Sequence, residues 1–196
     1  MNFKNILITL LVIVFSATSV LANSSDKSPL NEGAQFRSAN LTAAGLTCAM
    51  CTKAINTELE QLSFIQSVKV DIKSSSFNII FKKDVAPDFD QLKKAVEDAG
   101  FSVAKLKIFA DFQNVAVKKD AHVSVGGKTF HFLNASAATL NGEKAFTVVD
   151  KDYVTAKEHK KYSTASTMAC VKTGKAESCC TKEGIKPESR IYHVVI

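Results

Sequence analysis

Two cysteines lie close together in the segment GLTCAMC at residues 45–51. A stretch with β character precedes Cys48 and Cys51, and a helical pattern follows, so the sequence predicts both thiols at a helix N-terminus. Thr47 is expected to cap this helix. The unpaired N–H groups and the dipole there stabilise thiolate, the form that binds metal. Two soft thiolates favour copper(I) over calcium, magnesium or manganese, so we interpret the segment as a soft-metal site.

The elements that position this segment are predicted by the hydrophobic pattern of residues 36–109. Six elements follow one another: a strand at 36–44, a helix at 49–62, strands at 65–72 and 77–81, a helix that Pro87 and Asp88 open and Gly100 ends, and a strand at 101–109. This order within a short segment is typical of a ferredoxin-like α/β sandwich. The fold class expected for the whole chain is therefore α+β.

Residues 36–109 also resemble the heavy-metal-associated domain of copper chaperones, copper-exporting ATPases and periplasmic mercury-binding proteins. The family motif is GMTCxxC, and GLTCAMC differs from it only at Leu46, which is expected to pack as the family's Met does. The stretch DAGF at 98–101 resembles the end of the family's second helix, with Phe101 near the metal loop. The resemblance implies that Cys48 and Cys51 are metal ligands. It also implies a partner such as a copper-transporting ATPase or another metal-binding protein.

The sequence leaves the metal and the chemistry of this pair open. Mercury(II) suits a linear dithiolate as well as copper(I) does, whereas zinc(II) needs further ligands and residues 36–109 contain no histidine. A CxxC at a helix start also serves thiol–disulfide exchange, but the element order is not that of a thioredoxin fold. In an oxidising compartment, Cys48 and Cys51 could form a disulfide that binds nothing until it is reduced. Met50 is expected to be a partly buried helix residue and not a third ligand.

The N-terminus has the features of a targeting segment. Lys4 precedes an apolar run at residues 6–15, and a cut after Ala22 is expected, which makes residues 1–22 a signal peptide and Asn23 the start of the mature chain. The apolar run is short for a transmembrane span, although an uncleaved membrane anchor is the alternative. Residues 23–35 are polar and are interpreted as a flexible linker. We therefore expect a periplasmic or secreted protein without a transmembrane span in its mature chain.

Residues 110–196 are predicted to form a small β-rich domain, with a partly open barrel as the expected shape. The pattern predicts strands at 121–125, 128–133, 144–149 and 191–196, a turn at Gly126-Gly127, a loop at 134–142 and a helix at 155–162.

A second group of cysteines lies in this region, in the segment MACVKTGKAESCC at residues 168–180. Cys170 could form a disulfide with Cys179 or Cys180, since adjacent cysteines rarely pair with each other. Alternatively, Cys170, Cys179 and Cys180 form a second soft-metal site, with Met168 nearby. The total of five cysteines is odd, so at least one thiol stays free or pairs between chains.

The histidines of this region show no metal-ligand spacing to one another. They are His122, His131, His159 and His193. Strand alternation points His131 away from Phe130 and Phe132, so its side chain is expected to be exposed to solvent.

Composition limits the classes of function. The formal net charge of +6 is spread along the chain, without the clustered basic face that nucleic-acid binding requires. The leading hypothesis is a non-enzymatic protein that captures, holds or transfers a metal ion by ligand exchange. The alternatives are a thiol–disulfide oxidoreductase that uses Cys48 and Cys51, and an interaction domain that has lost its ion.

Overall fold

The structure is a computed structural model that describes residues 34–46 and 48–196. The signal peptide predicted at residues 1–22 and Thr47 lie outside the described residues. Residues 23–33 of the predicted linker also lie outside the described residues. Its last two residues, Ala34 and Gln35, belong to the first strand.

The first part of the chain has the predicted ferredoxin-like topology. Its elements are β1 (Ala34–Ala44), α1 (Ala49–Glu60), β2 (Ile65–Asp71), β3 (Ser76–Phe81), α2 (Phe89–Asp98) and β4 (Ser102–Val117). The strands lie in the order β2-β3-β1-β4, and each neighbouring pair is antiparallel. The βαββαβ order and this strand arrangement together confirm the predicted fold class.

Local sequence signals fix both ends of α2. The Asp88 side chain accepts hydrogen bonds from two backbone N–H groups of the first turn, as an N-cap residue does. At the other end Gly100 has φ +86°, a left-handed conformation that glycine adopts without strain. The N–H of Gly100 donates to Glu97, and the N–H of Phe101 donates to Val96. This is the Schellman pattern that satisfies the last carbonyls of a helix.

The second part of the chain continues the same sheet. Its elements are β5 (Ala121–Val125), β6 (Lys128–Phe132), β7 (Ala138–Val148), α3 (Ala156–Ser163), α4 (Cys170–Thr173), α5 (Ser178–Thr181) and β8 (Ile191–Val195). The β-rich character is confirmed. The prediction of a loop at 134–142 is wrong for residues 138–142, because β7 already begins at Ala138. The reason is that β4 continues well beyond residue 109 and offers β7 a pairing partner as far as Val117.

In residues 34–46 and 48–196, eight strands form one open sheet. Their order is β2-β3-β1-β4-β7-β8-β6-β5, so β2 and β5 are the edges and the sheet does not close into a barrel. The strands of the second part pair antiparallel except β6 and β8, which are parallel. The boundary predicted between residues 109 and 110 falls inside β4. The two parts are therefore joined by continuous strand pairing.

The sheet carries a buried cluster on each face of its second part. The larger cluster extends from the ferredoxin-like part into the second part through Phe89, whose ring centroid lies 6.1 Å from that of Phe130 and 5.4 Å from that of Tyr192. The smaller cluster lies on the opposite face and includes Cys170 and Cys180. Strands β6 and β8 are consequently buried on both faces. Among the described residues, no helix has the length and apolar character needed to cross a membrane.

Candidate metal centres

The first candidate centre lies where β1 passes into α1. Gly45 follows the strand with φ +79°, and Cys48 occupies the N-cap position of the helix. The Cys48 sulfur accepts a hydrogen bond from the Cys51 backbone N–H at 3.2 Å. The cap expected from Thr47 is thus supplied by Cys48, one position later. A sulfur at the N-cap accepts from the helix N-terminus in the way that stabilises a thiolate.

Cys48 and Cys51 are joined as a disulfide, with their Cα atoms 5.4 Å apart. Cys48 is exposed and Cys51 is half-buried, so the pair opens to solvent through Cys48. Reduction would leave two neighbouring sulfurs at the helix start. The first turn of α1 contains no acidic residue, so no carboxylate there competes as a hard ligand or disfavours thiolate.

The residues around this pair divide into a packing side and a solvent side. Leu46, two residues before Cys48, is partly buried and packs against the larger cluster, which confirms the packing role expected for it. Phe101, which the resemblance implies is near the metal loop, packs against the same cluster. Met50 is 73% exposed, so the expectation of a partly buried side chain is wrong. The reason is that α1 buries the face carrying Ile55 and Leu59, and Met50 lies off that face. An exposed thioether therefore flanks the cysteine pair.

The second candidate centre begins with three histidines on neighbouring strands. His122 on β5 is paired directly with His131 on β6, and His131 is paired with His193 on β8. Directly paired residues of adjacent strands point to the same face of a sheet, so the three rings form a row. The ring centroids of His122 and His131 are 4.6 Å apart, and those of His131 and His193 are 5.1 Å apart.

Two cysteines from the short helices cover this row. The Sγ atom of Cys170 lies 3.6 Å from Nδ1 of His131 and 3.9 Å from Nε2 of His122. Within the part of the chain that the structure describes, two sets of three ligand atoms have all their members within 4.8 Å of one another. They are His131, Cys170 and His193, and His122, Cys170 and Cys180. The two sets share Cys170, and neither includes Cys48 or Cys51.

Each of the three rings has one nitrogen held by a carboxylate. The pairs are His122 Nδ1 with Glu183 at 3.0 Å, His131 Nε2 with Asp120 at 3.2 Å and His193 Nδ1 with Asp150 at 2.6 Å. A ring nitrogen that faces a carboxylate carries the proton in neutral imidazole. The other nitrogen then keeps its lone pair, which is the form that binds metal.

Burial shapes the protonation of this cluster. It lowers the pKa of His131 to about 4, an effect to which the neighbouring His193 and His122 add and which Asp120 opposes. Burial also raises the pKa of the Cys170 thiol, together with the nearby Cys180 and Cys179. Without a metal, the centre therefore contains a neutral imidazole at His131 and a protonated thiol at Cys170.

Several expectations for this region change. His131 is fully buried, so its predicted exposure is wrong: alternation does point it away from Phe130 and Phe132, but the short helices cover that face too. Cys170, Cys179 and Cys180 are free thiols, with the sulfurs of the last two 3.5 Å apart. Cys179 and Met168 pack against the smaller cluster but belong to neither set of ligand atoms. The sequence did not reveal the row of histidines because the three residues are far apart along the chain. Strand pairing brings them together.

Known proteins resemble the first part of the chain. Residues 41–102 match the heavy-metal-associated domain. A probable copper-exporting P-type ATPase of Archaeoglobus fulgidus is 36% identical over 59 residues, which are 30% of this chain and 7% of the ATPase. The copper chaperone CopZ of Bacillus subtilis is 31% identical over 65 residues, which are 33% of this chain and 93% of CopZ.

Solved structures match a similar share of the chain. The yeast copper transporter domain Ccc2a aligns at 28% identity with a TM-score of 0.30, over 34% of this chain and 90% of that domain. Oxidised MerP from Ralstonia metallidurans CH34 aligns at 24% identity with a TM-score of 0.32, over 35% of this chain and 97% of MerP.

The match to CopZ spans nearly all of that protein. The residues that match the family, 41–102, include Cys48 and Cys51. Through this first part, the chain belongs to the heavy-metal-associated domain family.

Proposed function

We propose that the protein captures a heavy-metal ion, copper(I), between the sulfurs of Cys48 and Cys51 and passes it to another protein. The observation that carries this proposal is the position of both sulfurs at the N-terminus of α1, with Cys48 exposed. Relatives named as a copper chaperone and a copper-exporting ATPase support copper as the ion. The cysteine pair binds and releases its cargo, so no catalytic residue is needed.

The mechanism we propose is ligand exchange. A thiolate of the partner adds to the bound ion and gives a three-coordinate intermediate, and one of the two original sulfurs then leaves as a thiolate. Cys48 is expected to leave first because it is exposed, whereas Cys51 is half-buried. The partner we propose is a copper-transporting ATPase or another metal-binding protein. The exposed Met50 beside the pair offers an apolar contact for it.

The disulfide between Cys48 and Cys51 makes this function dependent on reduction. Both sulfurs are occupied in the disulfide, and two electrons and two protons from a thiol reductant are needed to free them. The signal peptide expected at residues 1–22 supports a periplasmic or secreted location, where disulfides persist. In such a compartment, the oxidised form would be the resting state.

A copper(I) competition assay against a chromogenic chelator tests the proposal. The reduced full chain should bind with a dissociation constant below about 1 µM. The double variant Cys48→Ser/Cys51→Ser should bind one copper(I) ion fewer than the wild type, and the oxidised protein should bind this ion only after reduction. The triple variant Cys170→Ser/Cys179→Ser/Cys180→Ser is the control and should keep it. Weaker binding by the reduced protein, or unchanged binding by the double variant, would refute the proposal. The same titration with mercury(II) shows which ion is preferred.

The observed disulfide also supports a second candidate, a thiol–disulfide oxidoreductase that uses the same pair. An insulin-reduction assay distinguishes the two. Activity near that of a thioredoxin, lost on Cys48→Ser, would favour the oxidoreductase.

A further inference from the structure

The strongest unexplained feature of the molecule is a nitrogen in the smaller cluster. His193 is 1% exposed, and its Nε2 atom has no hydrogen-bond partner among the described residues. Its other nitrogen, Nδ1, is held by Asp150 at 2.6 Å, which fixes the ring. In the neutral tautomer that donates to Asp150, the Nε2 lone pair is free to bind a ligand. Leaving a buried polar atom unpaired costs about 1–3 kcal/mol, so such atoms usually have a partner.

The residues around His193 indicate that the partner of this nitrogen is a metal ion. His131 and Cys170 lie beside His193, with their ligand atoms within 4.8 Å of one another. From these contacts, we propose that His131, His193 and Cys170 form a second metal site, for a borderline transition-metal ion such as zinc(II). Cys180 or His122 supplies the fourth ligand, since both lie near the same Cys170 sulfur. This site is separate from the Cys48–Cys51 pair.

The distance between Cys170 and His131 fits two ligands of a tetrahedral ion. Zinc–nitrogen bonds of about 2.0–2.1 Å and zinc–sulfur bonds of about 2.3 Å place a nitrogen and a sulfur ligand about 3.5–3.6 Å apart. The measured separation between Cys170 Sγ and His131 Nδ1 is 3.6 Å. The Cys170 thiol would lose its proton on binding, as zinc-bound thiols do.

The surroundings are those of a metal site as well. Metal-binding histidines commonly donate their other N–H to a carboxylate, which orients the ring and raises its basicity. All three rings have such a partner, in Glu183, Asp120 and Asp150. A mixed imidazole and thiolate set suits zinc(II), whereas a pair of thiolates alone suits the softer copper(I).

His131 contacts Cys170 through one ring nitrogen and Asp120 through the other. This arrangement also resembles that of a nucleophilic cysteine with its base. Burial argues against that role. Both Cys170 and His131 have 0% of their surface exposed, so no substrate atom can reach the sulfur. A metal ion is small enough to occupy the space between the ligands, and it needs no open cleft once it is bound.

Cobalt(II) provides the test, because a thiolate bound to it gives a charge-transfer absorption band. The sample is the reduced, metal-free full chain carrying Cys48→Ser and Cys51→Ser, so that the first centre cannot contribute. One equivalent of cobalt(II) should give this band together with the visible bands of tetrahedral cobalt. One equivalent of zinc(II) should remove them. Absence of the bands, or octahedral spectra without the charge-transfer band, would overturn the proposal.

Single substitutions on the same background identify the ligands. Cys170→Ser should abolish the charge-transfer band if His122 is the fourth ligand and reduce it if Cys180 is. His193→Asn should weaken cobalt binding at least about tenfold. His159→Asn is the matched control, because His159 lies on α3 and belongs to neither set of ligand atoms, so binding should not change. Equal binding by His193→Asn and His159→Asn would overturn the assignment.

A milder variant covers the case in which a ligand substitution unfolds the protein. Glu183 is about half-exposed and contacts His122, so Glu183→Gln should fold normally. If His122 is the fourth ligand, Glu183→Gln should lower cobalt affinity by about 10–100-fold. If Cys180 is the fourth ligand, Cys180→Ser should weaken the charge-transfer band. In that case Glu183→Gln should leave the cobalt affinity unchanged. A cobalt site that neither variant changes would contradict the proposed ligand set.

Discussion

Asp90 and Arg190 form an ion pair across 100 residues of sequence, with Asp90 Oδ2 3.0 Å from Arg190 Nε. Asp90 lies in α2 of the heavy-metal-associated domain, and Arg190 immediately precedes β8. The hydroxyl groups of Tyr153 and Tyr192 also donate to Asp90, at 2.6 and 3.0 Å. Arg190 contacts Asp150 as well, at 2.9 Å. A single carboxylate therefore connects the first part of the chain to the strand that carries His193.

Replacing Asp90 with Asn should destabilise the fold. The amide keeps one acceptor but loses the charge that faces Arg190, and its NH₂ group points at donors. We expect a loss of about 1–2 kcal/mol in the free energy of unfolding, at the lower end for buried polar groups because the Asp90 side chain is 43% exposed. Urea unfolding followed by circular dichroism measures it. Asp98→Asn is the control, since Asp98 forms an exposed pair with Lys94 whose loss should cost about 0.5 kcal/mol or less.

The same carboxylate should make stability depend on pH. Burial raises the pKa of Asp90. The hydrogen bonds and charge of Arg190, together with the hydrogen bond from the Tyr153 hydroxyl, lower this pKa by more than burial raises it, so the net shift is downward. A carboxyl with a lowered folded-state pKa contributes stability above its unfolded value of about 3.9, and this contribution is lost as the pH falls through the folded pKa.

The difference in unfolding free energy between the wild type and Asp90→Asn should therefore shrink as the pH falls from about 6 to about 2. Urea titrations at several pH values measure this difference. A difference that stays constant across this range would show that the Asp90 charge does not carry the stabilisation.

Two adjacent glycines test the packing between the two parts of the chain. Gly126 and Gly127 form the β5–β6 turn with φ of +52° and +75°, so alanine is strained at either position. A Cβ on Gly126 would lie 2.7 Å from the Phe36 ring of β1, whereas one on Gly127 would have nothing within 4 Å. Gly127→Ala should cost about 1 kcal/mol and Gly126→Ala about 1–3 kcal/mol more. Equal thermal and urea stability of the two variants would mean that the hairpin does not pack on Phe36.

The three C-terminal thiols should differ in reactivity. Cys170 and Cys180 have no exposed surface, whereas Cys179 is partly exposed. In the reduced, metal-free Cys48→Ser/Cys51→Ser protein, iodoacetamide should modify Cys179 first. The other two should react at least about tenfold more slowly, because local opening must precede their reaction. Peptide mass spectrometry over time measures the three rates, and urea-unfolded protein, in which all three should react alike, is the control.

Local signals in the sequence predicted much of the first part. Alternating residues indicated β2 and β3, Asp88 and Gly100 marked the ends of α2, and the cysteine spacing located the first centre at the start of α1. These features depend on residues a few positions apart, whose periodicity and capping chemistry can be read along the chain.

The second centre depended on tertiary structure. Alternation along β6 correctly pointed His131 away from Phe130 and Phe132, but only the packing of α4 and α5 shows that its face is covered. The pairing of β5, β6 and β8 sets three distant histidines side by side, and the short helices bring Cys170 to them. The sequence by itself therefore determined the ferredoxin-like elements and the Cys48–Cys51 segment, because those rest on short-range patterns. The tertiary structure decided the histidine–cysteine cluster, because its members meet only through strand register and burial between residues far apart in the chain.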